Sequence, residues 1–291
     1  MPELPEVETI RSDLQREVVG STITAVKLYW ERVVAFPSAE DFVRGLTGRR
    51  IEDIGRRGKY LLFRLDSHDV LIAHLRMTGQ LIHRRASDEM ENQVRAVLEL
   101  DDGSQLRFAD MRKFGRLWLV PSELMVVGKL GPEPLAEEFT FEVFRERLRR
   151  RKGAIKPVLL DQSVIAGIGN IYADEALFAA RIHPQTRVGD LTELQLQNLY
   201  QAVRAVLASG VENRGTTVDR YRDGLGRRGG FQEKLQVFRR AGQACPVCQG
   251  RIQRIVVGGR GTFICPSCQR LAVSSQKDEF DDPDPTQPWY H

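Results

Sequence analysis

The chain begins Met1-Pro2-Glu3-Leu4-Pro5-Glu6-Val7-Glu8. A small residue after the initiator methionine favours removal of that methionine, which leaves Pro2 as a free secondary amine. An α-amino group titrates near pH ~7.7–8.0, far below a lysine. A fraction is therefore unprotonated at neutral pH and can attack an aldehyde-like carbon to form an iminium. Glu3 and Glu6 stand beside it as proton carriers. The same opening also suits a helix start. Proline and glutamate belong in a first turn, and Val7, Ile10, Leu14 and Val18 follow at helical spacing. The nucleophile reading holds only if the rest of the chain points to a substrate with a masked aldehyde.

The second chemical constellation is Cys245, Cys248, Cys265 and Cys268, two C-x2-C pairs separated by 16 residues with no cysteine left over. That spacing implies one tetrahedral structural zinc. Two disulfides are the alternative, and nothing in the chain marks it as secreted. Between the pairs, residues 251–257 alternate, Gly258-Gly259-Arg260-Gly261 turns, and residues 262–264 return, so a hairpin is expected. So small a module has little core of its own, and metal binding then contributes directly to its folding.

Other clusters suit a polyanion. Arg56-Arg57-Gly58-Lys59 sets cations at the start of an apolar strand, and Lys59 is placed to reach a phosphate or to sit at a solvated strand end. Met77 lies in the turn after His74-Leu75-Arg76, and Arg112 and Phe114 lie in a second turn. On adjacent turns these three would form a wedge of the kind that enters a base stack. Gly167-Ile168-Gly169-Asn170 precedes a helix, where backbone N–H groups and the Asn170 amide suit an anion, although a tight helix–helix turn needs the same glycines. Arg149-Arg150-Arg151-Lys152 and Lys156 come just before it.

These groups need elements to hold them. After the opening helix, short strands are expected at residues 22–30, 49–54, 60–65, 70–75, 94–100, 105–108 and 116–120, with a helix at 38–46 and a turn at Asp101-Asp102-Gly103. Many short strands at close spacing argue for a sandwich or barrel. Residues 128–134 read as a linker. Helices follow at 140–150, 157–160, 171–180 and 192–212, the last with Leu194, Leu199, Val203, Val206 and Leu207 on its apolar side. His183-Pro184 stops the helix before it. A Gly- and Arg-rich loop with little to bury spans 214–230.

Composition limits the partners. The 291 residues allow two or three domains. No apolar run is long enough to cross a bilayer, and acidic residues stand where an export signal would be basic. The net charge is +4, but five acids and one lysine in residues 277–291 give that stretch −4 and leave +8 on the rest. A basic body suits a polyanionic partner, and the acidic tail reads as disordered.

Taken in order, these motifs resemble bacterial formamidopyrimidine-DNA glycosylase over residues 1 to about 270. The matching pieces are Pro2-Glu3-Leu4-Pro5-Glu6, Gly58-Lys59-Tyr60-Leu61, Met77-Thr78-Gly79, Arg112-Lys113-Phe114-Gly115, Gly131-Pro132-Glu133-Pro134, Gly167-Ile168-Gly169-Asn170-Ile171-Tyr172, His183-Pro184, and Gly259-Arg260-Gly261-Thr262 in the cysteine module. The resemblance implies an α+β multidomain protein. It would have an N-terminal β-sandwich with flanking helices at 1–127, a linker at 128–139, and a helix–two-turn–helix domain at 140–234 with a lesion-covering loop at 214–230. A four-cysteine zinc finger at 235–270 and an acidic tail at 271–291 would complete it. The implied function is excision of oxidised purines from double-stranded DNA, followed by cleavage at the abasic site. Pro2 would be the nucleophile and Glu3 the acid, with Lys59, Arg260 and Asn170 on phosphates and Met77, Arg112 and Phe114 in the gap left by the flipped base. Glu6, Arg151, Lys156, Tyr172 and Arg220 are further expected DNA contacts. A monomer in the bacterial cytoplasm, carrying one structural zinc ion, is expected.

Departures from the family pattern are Glu91-Asn92-Gln93, where many relatives carry a His-rich stretch, and Asp219, where relatives often carry a basic residue. Two rivals share the motifs. Endonuclease VIII, which removes oxidised pyrimidines, typically opens Pro-Glu-Gly-Pro-Glu, and Leu4 here favours the purine enzyme. A non-catalytic DNA-binding protein would have no use for Pro2, Glu3 and Lys59.

Overall fold

The structure is a computed structural model, and it describes residues 1–271. Residues 272–291, with the expectation of a disordered acidic tail, lie outside the described residues.

Helix α1 (Leu4–Val18) starts where expected. Glu3 is its N-cap and shares a capping box with Glu6, which satisfies two otherwise orphaned N–H groups. Val7, Ile10, Leu14 and Val18 are all fully buried. Nine strands of the described residues follow, broken once by α2 (Ala39–Leu46). They are β1 (Ile23–Leu28), β2 (Val34–Phe36), β3 (Ile51–Arg57), β4 (Tyr60–Leu65), β5 (Val70–His74), β6 (Gly79–Arg85), β7 (Val94–Leu100), β8 (Ser104–Asp110) and β9 (Arg116–Val120).

The strands form two sheets, ordered β1-β7-β8-β6 and β2-β9-β5-β4-β3. All their pairings are antiparallel except β2 with β9. The inner faces meet in one core, where Phe63 and Leu71 of one sheet join Leu81, Leu98 and Phe108 of the other beneath α1. The architecture is therefore a sandwich with a helix across it.

Two strands escaped the sequence reading. Strand β2 has only three residues, two of them exposed, so no alternation marks it. Strand β6 carries Gln80, His83, Arg84 and Arg85 among two apolar residues, yet pairs with β8 in unbroken register from Gly79 to Arg85. Arg56 and Arg57 also move. They end β3 rather than begin β4, and Gly58 turns between the strands at φ +56°.

A short helix α3 (Leu124–Val127) leads into residues 128–139. Far from being loose, this segment is strapped down. Glu133 accepts from Arg56 at 2.6 Å, Arg57 at 3.0 Å and the Gly58 N–H at 2.5 Å. Arg204 reaches the carbonyls of Pro134 and Ala136, both at 3.0 Å. Helices α4 (Phe141–Arg149), α5 (Ile155–Leu160), α6 (Asn170–Ala179) and α7 (Glu193–Glu212) follow and share a second core around Tyr172, Leu177, Leu199 and Val203. Leu194, expected on the apolar side of α7, is instead 67% exposed. It lies in the first turn, just before the buried line Leu196, Leu199, Val203 and Leu207 begins. Strands β10 (Gln253–Val257) and β11 (Arg260–Ile264) form the expected hairpin. Gly258 and Gly259 sit at φ +56° and +73°, the two left-handed positions of a tight hairpin turn.

The strap yields a test. Glu133→Ala leaves Arg56, Arg57 and the Gly58 N–H short of their acceptor in a largely buried spot. Urea unfolding should show a loss of roughly 1–3 kcal/mol. A change within experimental error would mean that the segment is held by other contacts.

Candidate active site and nucleic-acid interface

A cleft of about 680 Å³ runs between the sandwich, the helical domain and the hairpin. Its lining includes Pro2, Glu3, Glu6, Lys59, Met77, Arg112, Asn170, Arg220 and Arg260, with Met1 ahead of Pro2 in the same space. Residues from seven separate parts of the chain thus meet on one cavity.

The position of Glu3 follows from two helix starts. It caps α1, and its carboxylate also accepts the N–H groups of Ile171 at 3.0 Å and Tyr172 at 3.4 Å at the start of α6. The positive end of α6 therefore faces Glu3. This corrects the expectation that the glycine turn presents its N–H groups to a phosphate. A Cβ on Gly169 would overlap the Glu3 carboxylate, and one on Gly167 (φ +90°) would lie 2.7 Å from Leu4. The Leu4 N–H donates to the Gly167 carbonyl at 3.0 Å. These glycines make room for the protein's own N-terminus.

Glu6 lies behind Glu3, fully enclosed. It accepts from the Glu3 N–H at 2.8 Å, the Thr216 N–H at 2.7 Å and the Tyr172 hydroxyl at 2.7 Å. Burial, then the nearby Glu3 charge, pushes its carboxyl up to about 6, against the pull of Tyr172 and Thr216. Tyr172, expected on DNA, is buried and serves as this anchor for Glu6.

Lys59 follows the Gly58 turn and is buried in the cleft wall, where Nζ donates to the Ile168 carbonyl at 2.8 Å. Burial lowers its pKa, the charges of Glu3 and Glu6 oppose this, and Arg260 adds to the lowering. His74, at the end of β5, is pushed down to about 3 by burial and by Arg76 and Lys59. It is neutral, and its Nδ1 accepts the Arg76 N–H at 3.0 Å.

Arg260 is exposed at the start of β11, and its hairpin is docked from below. Asn170 donates to the Gly261 carbonyl at 2.9 Å, Lys156 to the Thr262 hydroxyl at 2.7 Å, and the Phe263 N–H to Asp174 at 3.0 Å. Lys156, expected to contact DNA, has no exposed surface and pairs with Asp174 at 2.6 Å. Burial raises the Asp174 carboxyl and lowers the Lys156 ammonium, and their contact opposes both shifts. Arg151 also lies away from the cleft, where it donates to Ser163 at 3.1 Å and faces Asp161 at 3.5 Å.

Met77, Arg112 and Phe114 do come together. The Arg112 guanidinium lies 4.8 Å from the Phe114 ring centre and 3.2 Å from the Met77 sulfur, and Met77 and Phe114 are each 46% exposed. Asp110 joins their two turns by accepting from the Thr78 hydroxyl, from the Arg112 N–H at 3.1 Å and from the Gly115 N–H at 2.7 Å. Sequence reasoning passed over Asp110, although an acid closing an apolar strand hints at a turn anchor. Glu91, one of the departures, pairs with Arg84 and with the fully buried Arg107.

The loop after α7 is not the bare segment expected. Arg214 holds Asp13 at 2.6 Å and Asp223 at 2.5 Å, and Thr216, Thr217, Tyr221 and Asp223 are buried. Arg220 stands on the cleft, and its carbonyl accepts from Gln80.

The four cysteine sulfurs lie within 4.8 Å of one another, Cys248 and Cys265 at 3.4 Å, Cys245 and Cys268 at 3.9 Å. Metal–sulfur bonds of about 2.3 Å in a tetrahedron place sulfurs about 3.8 Å apart, so one zinc ion fits. Gln269 ties the module to the helices by accepting the Cys265 N–H at 3.0 Å and donating to the Ile182 carbonyl at 2.9 Å.

Residues 1–117 match the formamidopyrimidine-DNA glycosylase N-terminal domain, 130–221 its H2TH domain, and 242–271 the zinc finger found in FPG and IleRS. A formamidopyrimidine-DNA glycosylase of Pelotomaculum thermopropionicum is 47% identical over 275 residues, covering 93% of this chain and 100% of the relative. Lactococcus lactis Fpg bound to abasic-site DNA superposes with a TM-score of 0.87 at 38% identity, covering 92% of this chain and 100% of that one. Its complex with Fapy-dG DNA gives 0.86 at 37%, with the same coverage. The chain belongs to the formamidopyrimidine-DNA glycosylase family, and it is a base-excision-repair enzyme of the glycosylase and abasic-site lyase type. No helix of the described residues is long and apolar enough to cross a membrane.

Glu6 provides a pH test. A carboxyl whose pKa is raised by folding adds stability below its unfolded value near 4.5, and that contribution is lost as the pH rises through about 6. Glutamine cannot titrate. In denaturant unfolding, the difference between the wild type and Glu6→Gln should therefore move in favour of the wild type as the pH falls from about 6 to 4.5. A difference independent of pH would assign the shifted titration to another group.

Proposed function

We propose that the protein excises oxidised purines, 8-oxoguanine and formamidopyrimidines, from duplex DNA through a Schiff base on Pro2, and cleaves the strand by successive β- and δ-elimination. The observation that carries this reading is the meeting of Pro2 and the doubly anchored Glu3 with Lys59, Asn170 and Arg260 on one cleft. With Met1 removed, the Pro2 nitrogen attacks the sugar C1′ and the bond from C1′ to the base breaks. Glu3, held by the α6 N-terminus, delivers a proton to the ring oxygen or the departing base. The sugar opens and the amine closes to an iminium on C1′. The iminium acidifies the C2′ proton. Its removal expels the 3′ phosphate, and loss of the C4′ proton then expels the 5′ phosphate.

Lys59 and Arg260 hold the phosphates that flank the lesion, and Asn170 joins them. Met77, Arg112 and Phe114 enter the gap left by the extruded base. The zinc ion has no part in these steps. It closes the module that presents Arg260, while Lys156 and Asn170 fix the hairpin against the helices. One chain carries every group used, so a monomer suffices. A chromosomal substrate places the enzyme in the bacterial cytoplasm.

Sodium borohydride reduces an iminium to a stable amine. Treatment of the enzyme on 8-oxoguanine duplex should yield a cross-link, and peptide mass spectrometry should place it on Pro2. A cross-link confined to a lysine would overturn the role given to Pro2.

Arg112 carries only donors. An orphaned cytosine offers acceptors at O2 and N3, whereas adenine sets its N6 donor beside N1. Single-turnover excision should be faster opposite cytosine than opposite adenine, by an amount equivalent to roughly 1–3 kcal/mol, and Arg112→Ala should erase the preference. Equal wild-type rates opposite both bases would take this role from Arg112.

A further inference from the structure

The loop across the cleft is anchored at both ends, and its crest borders the cavity. On one side the Thr216 N–H is fixed by Glu6 at 2.7 Å and the Thr217 N–H by Gln232 at 2.9 Å. On the other, the Tyr221 hydroxyl donates to the Glu6 carbonyl at 3.3 Å, and Asp223 is gripped by Arg214 and Arg227. Val218, Asp219 and Arg220 lie between, bordering the cavity.

One side chain of this crest reaches the opposite wall. Both oxygens of Asp219 accept from Arg239, at 2.9 and 2.8 Å, in a bidentate pair. Arg239 stands on a rigid base, because the Glu175 carboxylate accepts the N–H groups of Gln236, Val237 and Phe238 at 2.8–3.0 Å. Its backbone sits at φ +59°, a region that favours glycine. The Arg239 guanidinium holds the Asp219 carboxyl below the usual range, burial opposes this, and the N-terminal amine and Arg220 add to the lowering.

We propose that the Asp219–Arg239 pair is a latch that fastens the crest of this loop to the segment leading into the zinc finger, and that it positions the loop over the extruded base. This rests on the proposed function, in which that base occupies the cleft beside Pro2. Asp219 and Arg239 are positioning residues. They take no part in the bond changes at C1′. An intact lesion needs the loop to hold its base. An abasic sugar has no base to hold, so the latch matters for excision and not for later cleavage.

The test compares Asp219→Asn, Arg239→Gly and the swap Asp219→Arg with Arg239→Asp. Glycine and aspartate both tolerate the backbone of residue 239, so folding is preserved at that position. Under single turnover at low salt, each single variant should excise 8-oxoguanine about fivefold more slowly, in keeping with one exposed bidentate pair. Cleavage of a preformed abasic site should stay within about twofold of the wild type, and the swap should recover most of the excision rate. Equal losses on both substrates would make Arg239 a general DNA contact and overturn the latch, as would no loss on either. Hydrogen exchange of the free protein reads the latch without catalysis. Arg239→Gly should speed exchange at Val218–Arg220 and leave Thr216 unchanged, and unchanged exchange at the crest would also overturn it. A wild type that forms the latch by exchange but excises no purine would count against the proposed function alone.

Discussion

Everything in this cleft depends on two carboxylates buried at the junction of α1, α6 and the loop after α7. Glu3 and Glu6 belong to one capping box, yet each also satisfies groups from far along the chain, Ile171 and Tyr172 for the first, Thr216 and Tyr172 for the second. A buried carboxylate is costly unless its lone pairs are filled. Here they are filled by N–H groups that a helix start and a loop would otherwise leave orphaned. The same bonds fasten the N-terminus to the helical domain and fix the carboxylate next to Pro2. Stability and reactivity share one set of contacts, so the position of Pro2 is over-determined by groups it does not touch.

The parts of this arrangement that were legible in the sequence are those with local causes. The opening helix, the hairpin turn at Gly258-Gly259, the cysteine spacing and most strands follow from periodicity, φ preference or fixed ligand geometry. The Met77, Arg112 and Phe114 cluster was also within reach, because each residue lies in a turn between strands. What stayed hidden depends on long-range pairing. Lys156 and Arg151 look alike in the sequence, two cations near a glycine turn, but one is sealed against Asp174 and the other lies beside Asp161 on the outside. Tyr172 could not be told from a DNA contact without knowing that Glu6 lies above it. Strand β6 was missed because a polar-rich strand is held by its partner's register rather than by its own pattern.

The helical domain also shows how an acid within an apolar helix marks a joint. Helix α6 carries Asp174-Glu175 between Tyr172-Ala173 and Ala176-Leu177-Phe178, all of them buried. Each acid accepts backbone N–H groups from the segment that follows α7, Phe263 for Asp174 and residues 236–238 for Glu175. Adjacent residues on one helix therefore fix both the approach to the zinc finger and its hairpin. Burial raises both carboxyls, opposed by the N–H donors and, at Asp174, by Lys156. The zinc ion closes the finger on itself, but these two acids decide where the closed finger stands and hence where Arg260 points.

Net charge alone was a coarse guide to the partner, and ion pairing explains why. Arg145 and Arg149 are taken by Glu193, Arg150 by Glu146, Arg64 by Asp53 and Glu123, and Arg56 and Arg57 by Glu133. Part of the basic surface is thus neutralised in place; the exposed pairs among these add little to stability, whereas those of Arg56 and Arg57 with Glu133 are largely buried. Among the described residues, four arginines line the cleft with no ion pair to an acid, Arg76, Arg220, Arg112 and Arg260, the last two on separate elements. Arg112 stands on the wedge beside Met77 and Arg260 on the hairpin, and both line the cleft of Pro2 and Glu3. A cation left without a carboxylate at the rim of a cavity keeps its full attraction for an anion. Such cations suit a polyanion that enters the cleft. The information about the partner therefore lies less in how many arginines the chain has than in which of them the fold leaves uncompensated.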